Sequence, residues 1–127
     1  MAEKEGVQLC LECHHKTYTE TVEGALEVLR AVNSPAFRMY WQPNQFRTPE
    51  ENLDYLEQVK DYITHIHVFQ WKGKERFPLE TGLEEWKTYL RGLTGEHTLL
   101  LEFMPDDALC SLNREAAALR KLTEAIL

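Results

Sequence analysis

The sequence is short of several things. No apolar run is long enough to cross a bilayer, which argues against an integral membrane protein. Basic residues are outnumbered: 14 Lys and Arg face 21 Asp and Glu, a formal net charge of −7. An acidic surface repels phosphate backbones, so nucleic acid is not an expected partner. The one tight basic group, Lys72, Lys74 and Arg76, reads as a loop. Cysteine is sparse, with three in 127 residues, an odd number and not densely placed. That suits a reducing compartment better than a disulfide scaffold. The opening Met-Ala-Glu-Lys-Glu-Gly lacks the basic-then-apolar pattern of a secretory signal. A cytoplasmic location with no membrane partner is therefore expected. Linkers, low-complexity tracts and identical repeats are not evident either.

What remains is ordinary for a globular chain: 43% apolar and 28% charged. Its length suits one domain, residues 1–127, with a real core. Four apolar stretches read as strands: Val7–Cys13, Phe37–Gln42, Ile63–Phe69 and Thr98–Phe103. Each leads through a loop into a helical pattern. The spacing predicts four consecutive βα units, an α/β fold with a parallel sheet. Helix signals support this. Thr48-Pro49-Glu50-Glu51 is a capping box with Pro in the first turn. Thr17 or Thr19 is expected to cap the first helix, and Ser111 or Asn113 the last. In the last helix Leu112, Ala116, Leu119, Leu122 and Ile126 form the expected buried stripe. Lys72–Gly82 reads as an irregular loop.

Strand parity separates two faces. Val7, Leu9, Leu11, Met39, Trp41, Ile66, Val68, Leu99 and Leu101 form a wholly apolar set that should meet the helices. The other set is more polar and contains Glu12, Gln42, His65, His67 and Glu102. A sheet with helices on both sides would be apolar on both faces. One apolar and one mixed face suit a barrel wall around a partly polar interior. Four strands cannot close a barrel that normally takes eight. The chain should therefore form a homodimer, pair with a complementary half-barrel, or aggregate through its open edges.

Glu12, Gln42, His67 and Glu102 each lie near the C-terminal end of a strand, the side on which such sheets carry their chemistry. They suit an N/O metal site, an acid/base pair, or both. An ionised carboxylate in an apolar strand is costly unless paired or metal-bound, which favours a role for Glu12 and Glu102 over mere solvation. His65 reads as a core histidine, and His15 as a solvated loop residue. His14 shares Glu12's parity and is placed to touch a substrate. Lys72 and Arg76 are candidates for a substrate hydroxyl or phosphate, with solvated loop charge as the plainer alternative. Phe69 and Trp71 are candidate pocket walls, while Trp41 reads as helix-facing core. Cys10-Leu11-Glu12-Cys13-His14 matches a haem-attachment pattern, but a strand would point the two cysteines to opposite faces.

With these residues in view, the chain resembles the C-terminal half of the sugar-phosphate isomerase/epimerase family of xylose isomerase-like TIM barrels. The resemblance rests on Leu11-Glu12-Cys13-His14, Tyr40-Trp41-Gln42-Pro43, His65-Ile66-His67-Val68 and Leu101-Glu102-Phe103, with Pro78–Gly82 leading to Trp86. It implies a divalent metal ion (manganese, magnesium or zinc) held by Glu12, Gln42, His67 and Glu102. It implies that Glu12 and Glu102 move a proton between adjacent carbons of a small sugar or sugar phosphate. Gln42 stands where many members have Asp, which removes one negative charge. The alternative is a non-catalytic truncated relative that binds a metal or ligand or pairs with another subunit. An abasic-site nuclease of the same superfamily would need more ligands and a basic groove.

Overall fold

The structure, a computed structural model, describes residues 1–126. A single-turn helix, α1 (Ala2–Glu5), leads into β1 (Leu9–Glu12), α2 (Val22–Val32), β2 (Phe37–Trp41) and α3 (Pro49–Val59). Next come β3 (Ile63–Val68), a small hairpin of β4 (Trp71–Lys72) and β5 (Glu75–Arg76), then α4 (Leu83–Arg91), β6 (Thr98–Leu101) and α5 (Leu112–Glu124). The main sheet has the order β1-β2-β3-β6 and every neighbouring pair is parallel. Each βα unit thus lies beside the one before it. This is the expected α/β half of a TIM barrel. No helix among the described residues is long and apolar enough to cross a membrane.

The apolar parity set drives the packing. Met39, Trp41, Ile66 and Val68 are at most 1% exposed and join Ala25 and Leu29 of α2, Leu56 and Val59 of α3, Trp86 and Tyr89 of α4, and Leu122 of α5 in one core. A side chain such as Leu56, wholly buried, contributes about 2 kcal/mol by removal from water. Trp41 meets Trp86 and Tyr89 edge-on, at 6.2 and 5.3 Å between ring centres. Trp41 is therefore core, as expected. Val7 and Leu9 depart from the pattern. Val7 precedes the strand, and Leu9 opens an edge strand; both are about half exposed.

Local chemistry sets the helix ends. At α3 the Thr48 side chain accepts from Glu51 N while Glu51 accepts from Thr48 N, the expected reciprocal cap, contributing about 1 kcal/mol. At α2 the cap is Thr21, not Thr17 or Thr19, because a 3₁₀ turn at Tyr18–Glu20 intervenes. That turn comes so close to α2 that a Cβ at Gly24 would lie 2.1 Å from the Tyr18 carbonyl oxygen. At α5 Ser111 precedes the helix but gives it no side-chain cap; its hydroxyl donates to Asp106 instead.

The inner face is open. Cys10, Tyr40, His65 and His67 are only half-buried there, and Glu12 and Leu100 are exposed. Cys13 lies on the opposite, buried side, which separates it from Cys10 as the strand argument requires. The outer edges of β1 and β6 have no strand partner among the described residues. Such edges present unpaired backbone groups to any complementary strand.

Candidate metal centre

Pairing of the strands brings the candidate residues together. His65 lies opposite Tyr40 on one side and Thr98 on the other, and Glu12 lies opposite Tyr40. Glu12 ends β1, Gln42 and Glu102 each follow a strand by one residue, and His67 is the penultimate residue of β3. A register shift between β2 and β3 lets Ile63 and Ile66 both face the core while His65 and His67 face inward. Tyr40 stacks against His65 and tilts against His67, with ring centres 4.8 and 4.7 Å apart. That contact orients the imidazoles.

Ligand atoms of Glu12, His67 and Glu102 all lie within 4.8 Å of one another. His67 Nδ1 is 3.8 Å from Glu12 Oε1 and 3.5 Å from Glu102 Oε2. It is 2.8 Å from Gln42 Oε1, which accepts its proton in the tautomer protonated at Nδ1. Glu102 Oε2 is buried with no hydrogen-bond partner. A buried carboxylate oxygen left in that state asks for a proton or a cation. Carboxylate oxygens, one amide oxygen and one imidazole nitrogen fit manganese, magnesium or zinc.

The electrostatics agree. Burial, reinforced by the Glu12 carboxylate, pushes Glu102 up to about 7. Burial lowers His67 below its ordinary value against the pull of Glu12. Both shifts favour the neutral forms, and burial is the first cause of each. The Glu102 shift has a testable sign. Its folded form keeps the proton more tightly than the unfolded chain, so its contribution is full below 4.5 and is lost as pH rises through about 7. His67 works oppositely: stability falls as pH drops through 6.5. Comparing wild type with Glu102→Gln separates the two. Without metal, the variant should be more stable by about 1–2 kcal/mol at pH 8, a figure discounted for partial exposure, and the gap should close by pH 5. Thermal melts at both pH values check this; an equal gap at both would contradict it.

Around this cluster the other candidates take varied places. His14 is exposed on the loop after β1, its Nδ1 2.9 Å from the His15 carbonyl oxygen. Lys72 donates to Glu85 at 2.7 Å. Arg76 pairs with Asp107 and lies over the rings of Trp71 and Phe103, 4.8 and 4.9 Å from their centres. Phe69 completes this aromatic group. The His65 ring lacks the expected backbone partner: its Nδ1 is buried with no hydrogen bond. Lys72–Gly82 is not irregular throughout, since it contains the β4–β5 hairpin.

Sequence reasoning took His15 for a solvated loop residue and passed over Glu20; the His15 ring is instead three-quarters covered, against Phe46 and Glu20. The His15 and Glu20 side chains meet at 2.6 Å, and Glu20 also accepts from Lys16 N at 2.8 Å and Asn44 Nδ2 at 3.1 Å. A separation of five residues in a loop carries no periodic signal, so only the fold reveals the pair.

The family model for xylose isomerase-like TIM barrels matches residues 1–123. The chain belongs to this family. Two solved structures share its fold. One is the probable 3-DHS dehydratase AsbF, involved in petrobactin synthesis, from Bacillus anthracis, with a TM-score of 0.69 and 19% identity. The alignment covers 95% of this chain and 51% of that one. The other is a xylose isomerase-like TIM barrel protein from Mycobacterium smegmatis in complex with magnesium, with a TM-score of 0.62 and 21% identity. Here the coverage is 99% and 47%. The chain thus spans about half the length of these xylose isomerase-like barrels. No curated protein matches it.

Proposed function

We propose that this chain is the metal-holding half of a barrel that moves a proton between adjacent carbons of a small sugar or sugar phosphate. The observation that carries the reading is the convergence of Glu12, His67 and Glu102, with Glu102 Oε2 buried and unpartnered. These three residues and Gln42 would hold the metal. When bound, a divalent cation supplies positive charge that polarises a substrate oxygen. Glu12 and Glu102 come from the first and last strands of the sheet, so they can approach a substrate from two sides. One removes the proton and the other returns it. Glu102, held near 7, is suited to trade a proton at neutral pH. His67 stays neutral and is held by Gln42 and Tyr40.

The inner face needs a cover before it can exclude water. A second copy or a complementary half-barrel would pair with the free edges of β1 and β6. A second reading, a non-catalytic binding or subunit-pairing module, draws support from that open face and from the exposure of Glu12. Native mass spectrometry with added manganese tests the choice. The expected result is a closed assembly carrying about one metal per chain. A metal-free monomer would sink the independent-enzyme reading. Turnover assays should look for two products. The Bacillus anthracis neighbour is a probable dehydratase, and loss of water beside a carbonyl begins with the same proton abstraction as isomerisation.

A further inference from the structure

The two basic residues first suspected of holding a substrate anion are engaged elsewhere, Lys72 with Glu85 and Arg76 with Asp107. A third cation is placed differently. Arg47 lines a small open recess between the loop after β1 and the loop after β2. His14, His15, Gln42 and Asn44 share its walls. Gln42 joins the two regions: it contributes to the lining of the recess, and its side chain meets His67 of the metal cluster. Arg47 leans over the Tyr55 ring, 5.9 Å from its centre, and no carboxylate among the described residues pairs with its guanidinium.

Its loop is held firmly. Asn52, 5% exposed, accepts from Asn44 N at 2.8 Å and donates back to the Asn44 carbonyl at 3.1 Å. Arg47 N closes a turn onto that same carbonyl at 3.0 Å. On the opposite wall Glu20 orients His15 through Nδ1, while the ring rests against Phe46, 4.4 Å between centres. Three donors hold the Glu20 carboxylate, which also lines the recess, and the Arg47 guanidinium is the charge that offsets it there. Arg47 with the His15–Glu20 pair makes a locally non-negative spot on a chain of net charge −7.

We infer that this recess is the seat for an oxyanion group of the substrate, a carboxylate or a phosphate, held by Arg47 with the oriented ring of His15. The inference rests on the proposed function, since it takes the recess, joined to the Glu12, His67 and Glu102 cluster through Gln42, as part of the same substrate's site. It commits the substrate to an anionic class. A planar guanidinium suits either oxyanion through paired hydrogen bonds.

The test is titration of the full chain with inorganic phosphate and, separately, with glycolate, followed by amide NMR. Magnesium binding is measured in parallel by calorimetry. Phosphate or glycolate should shift the signals of Asn44, Gln45 and Arg47, and the stronger of the two identifies the group. Arg47→Gln should weaken that binding at least about tenfold, the size expected for a charge-assisted contact. His15→Gln should weaken it less, and Arg47→Lys should recover part of the loss. Magnesium affinity should stay within about twofold in all three variants. Absence of binding by both anions overturns the inference, as does binding that Arg47→Gln leaves unchanged in a variant whose amide spectrum shows it folded. If Arg47→Gln fails to fold, the decision passes to Arg47→Lys and His15→Gln, and unchanged anion binding in both overturns it. Anion binding that depends on Arg47 without magnesium binding would uphold the seat and remove the metal-dependent reading instead.

Discussion

Glu12→Gln should leave a folded chain that has lost both metal affinity and turnover. The substitution keeps shape and removes charge. Glu12 is nearly half exposed at the end of an edge strand, so little packing depends on it. Its Oε1 nevertheless stands 3.8 Å from His67 Nδ1 within the ligand cluster. Manganese affinity by calorimetry should fall at least about tenfold, the size reached when even supporting residues outside a ligand set are lost. Turnover by the closed barrel should fall by roughly 10²–10⁴, the worth of a positioned acid or base. The melting temperature without metal should hold or rise, since a like charge beside Glu102 has gone. Manganese binding as tight as in wild type would remove Glu12 from the ligand set. Full turnover with intact metal would remove it from the chemistry.

Glu115→Ala should cost about 3 kcal/mol of stability although it touches no candidate site residue. Glu115 is 2% exposed. Its Oε2 accepts from Leu79 N at 2.7 Å, and its Oε1 accepts from Arg114 Nε at 2.8 Å. Leu79 opens the 3₁₀ turn at Leu79–Gly82, where no earlier carbonyl is available to its N–H. Alanine strands that donor in a buried place and leaves a void. Denaturant unfolding should show the loss, and the melting temperature should drop by about 10 °C. Glu115→Gln keeps an acceptor and should recover about half. A loss under about 1 kcal/mol for the alanine variant would mean that water replaces the carboxylate without cost.

These two glutamates show which parts of the fold can be read from sequence. Glu12 stood out because it interrupts an apolar strand at a defined end. Glu115 did not, because a carboxylate in an amphipathic helix is ordinarily solvated. The α5 stripe slipped for the same reason: Leu112 and Ile126 are exposed, while Glu115, Ala118 and Leu122 are buried. The α3 cap was legible because all its atoms lie within four residues. The β4–β5 hairpin was not, since two residues per strand give no alternation to detect. Arg47 and the His15–Glu20 pair depend on loops that only the assembled sheet brings face to face. The parallel half-barrel itself was readable, because four strand-to-helix alternations repeat one physical pattern. Strand lengths were overestimated by one to three residues, mostly where apolar residues continue past the last ladder bond.

The shifted register between β2 and β3 has a genetic corollary. From Ile63 to Ile66 the strand changes phase, so that Thr64 and His65 stand side by side between two core residues. Thr64 is the extra residue, so removing it would restore strict alternation and, if Ile63 keeps its place, leave His65 and His67 facing inward with Ile66 and Val68 on the core. The segment should therefore accept the loss of one residue at the bulge more readily than beyond it, where removing Ile66 would turn His67 onto the core face. A scan of single-residue deletions through 63–68 would find its mildest loss of metal binding at Thr64, a position whose own side chain reaches no farther than the thiol of Cys10 at 3.6 Å.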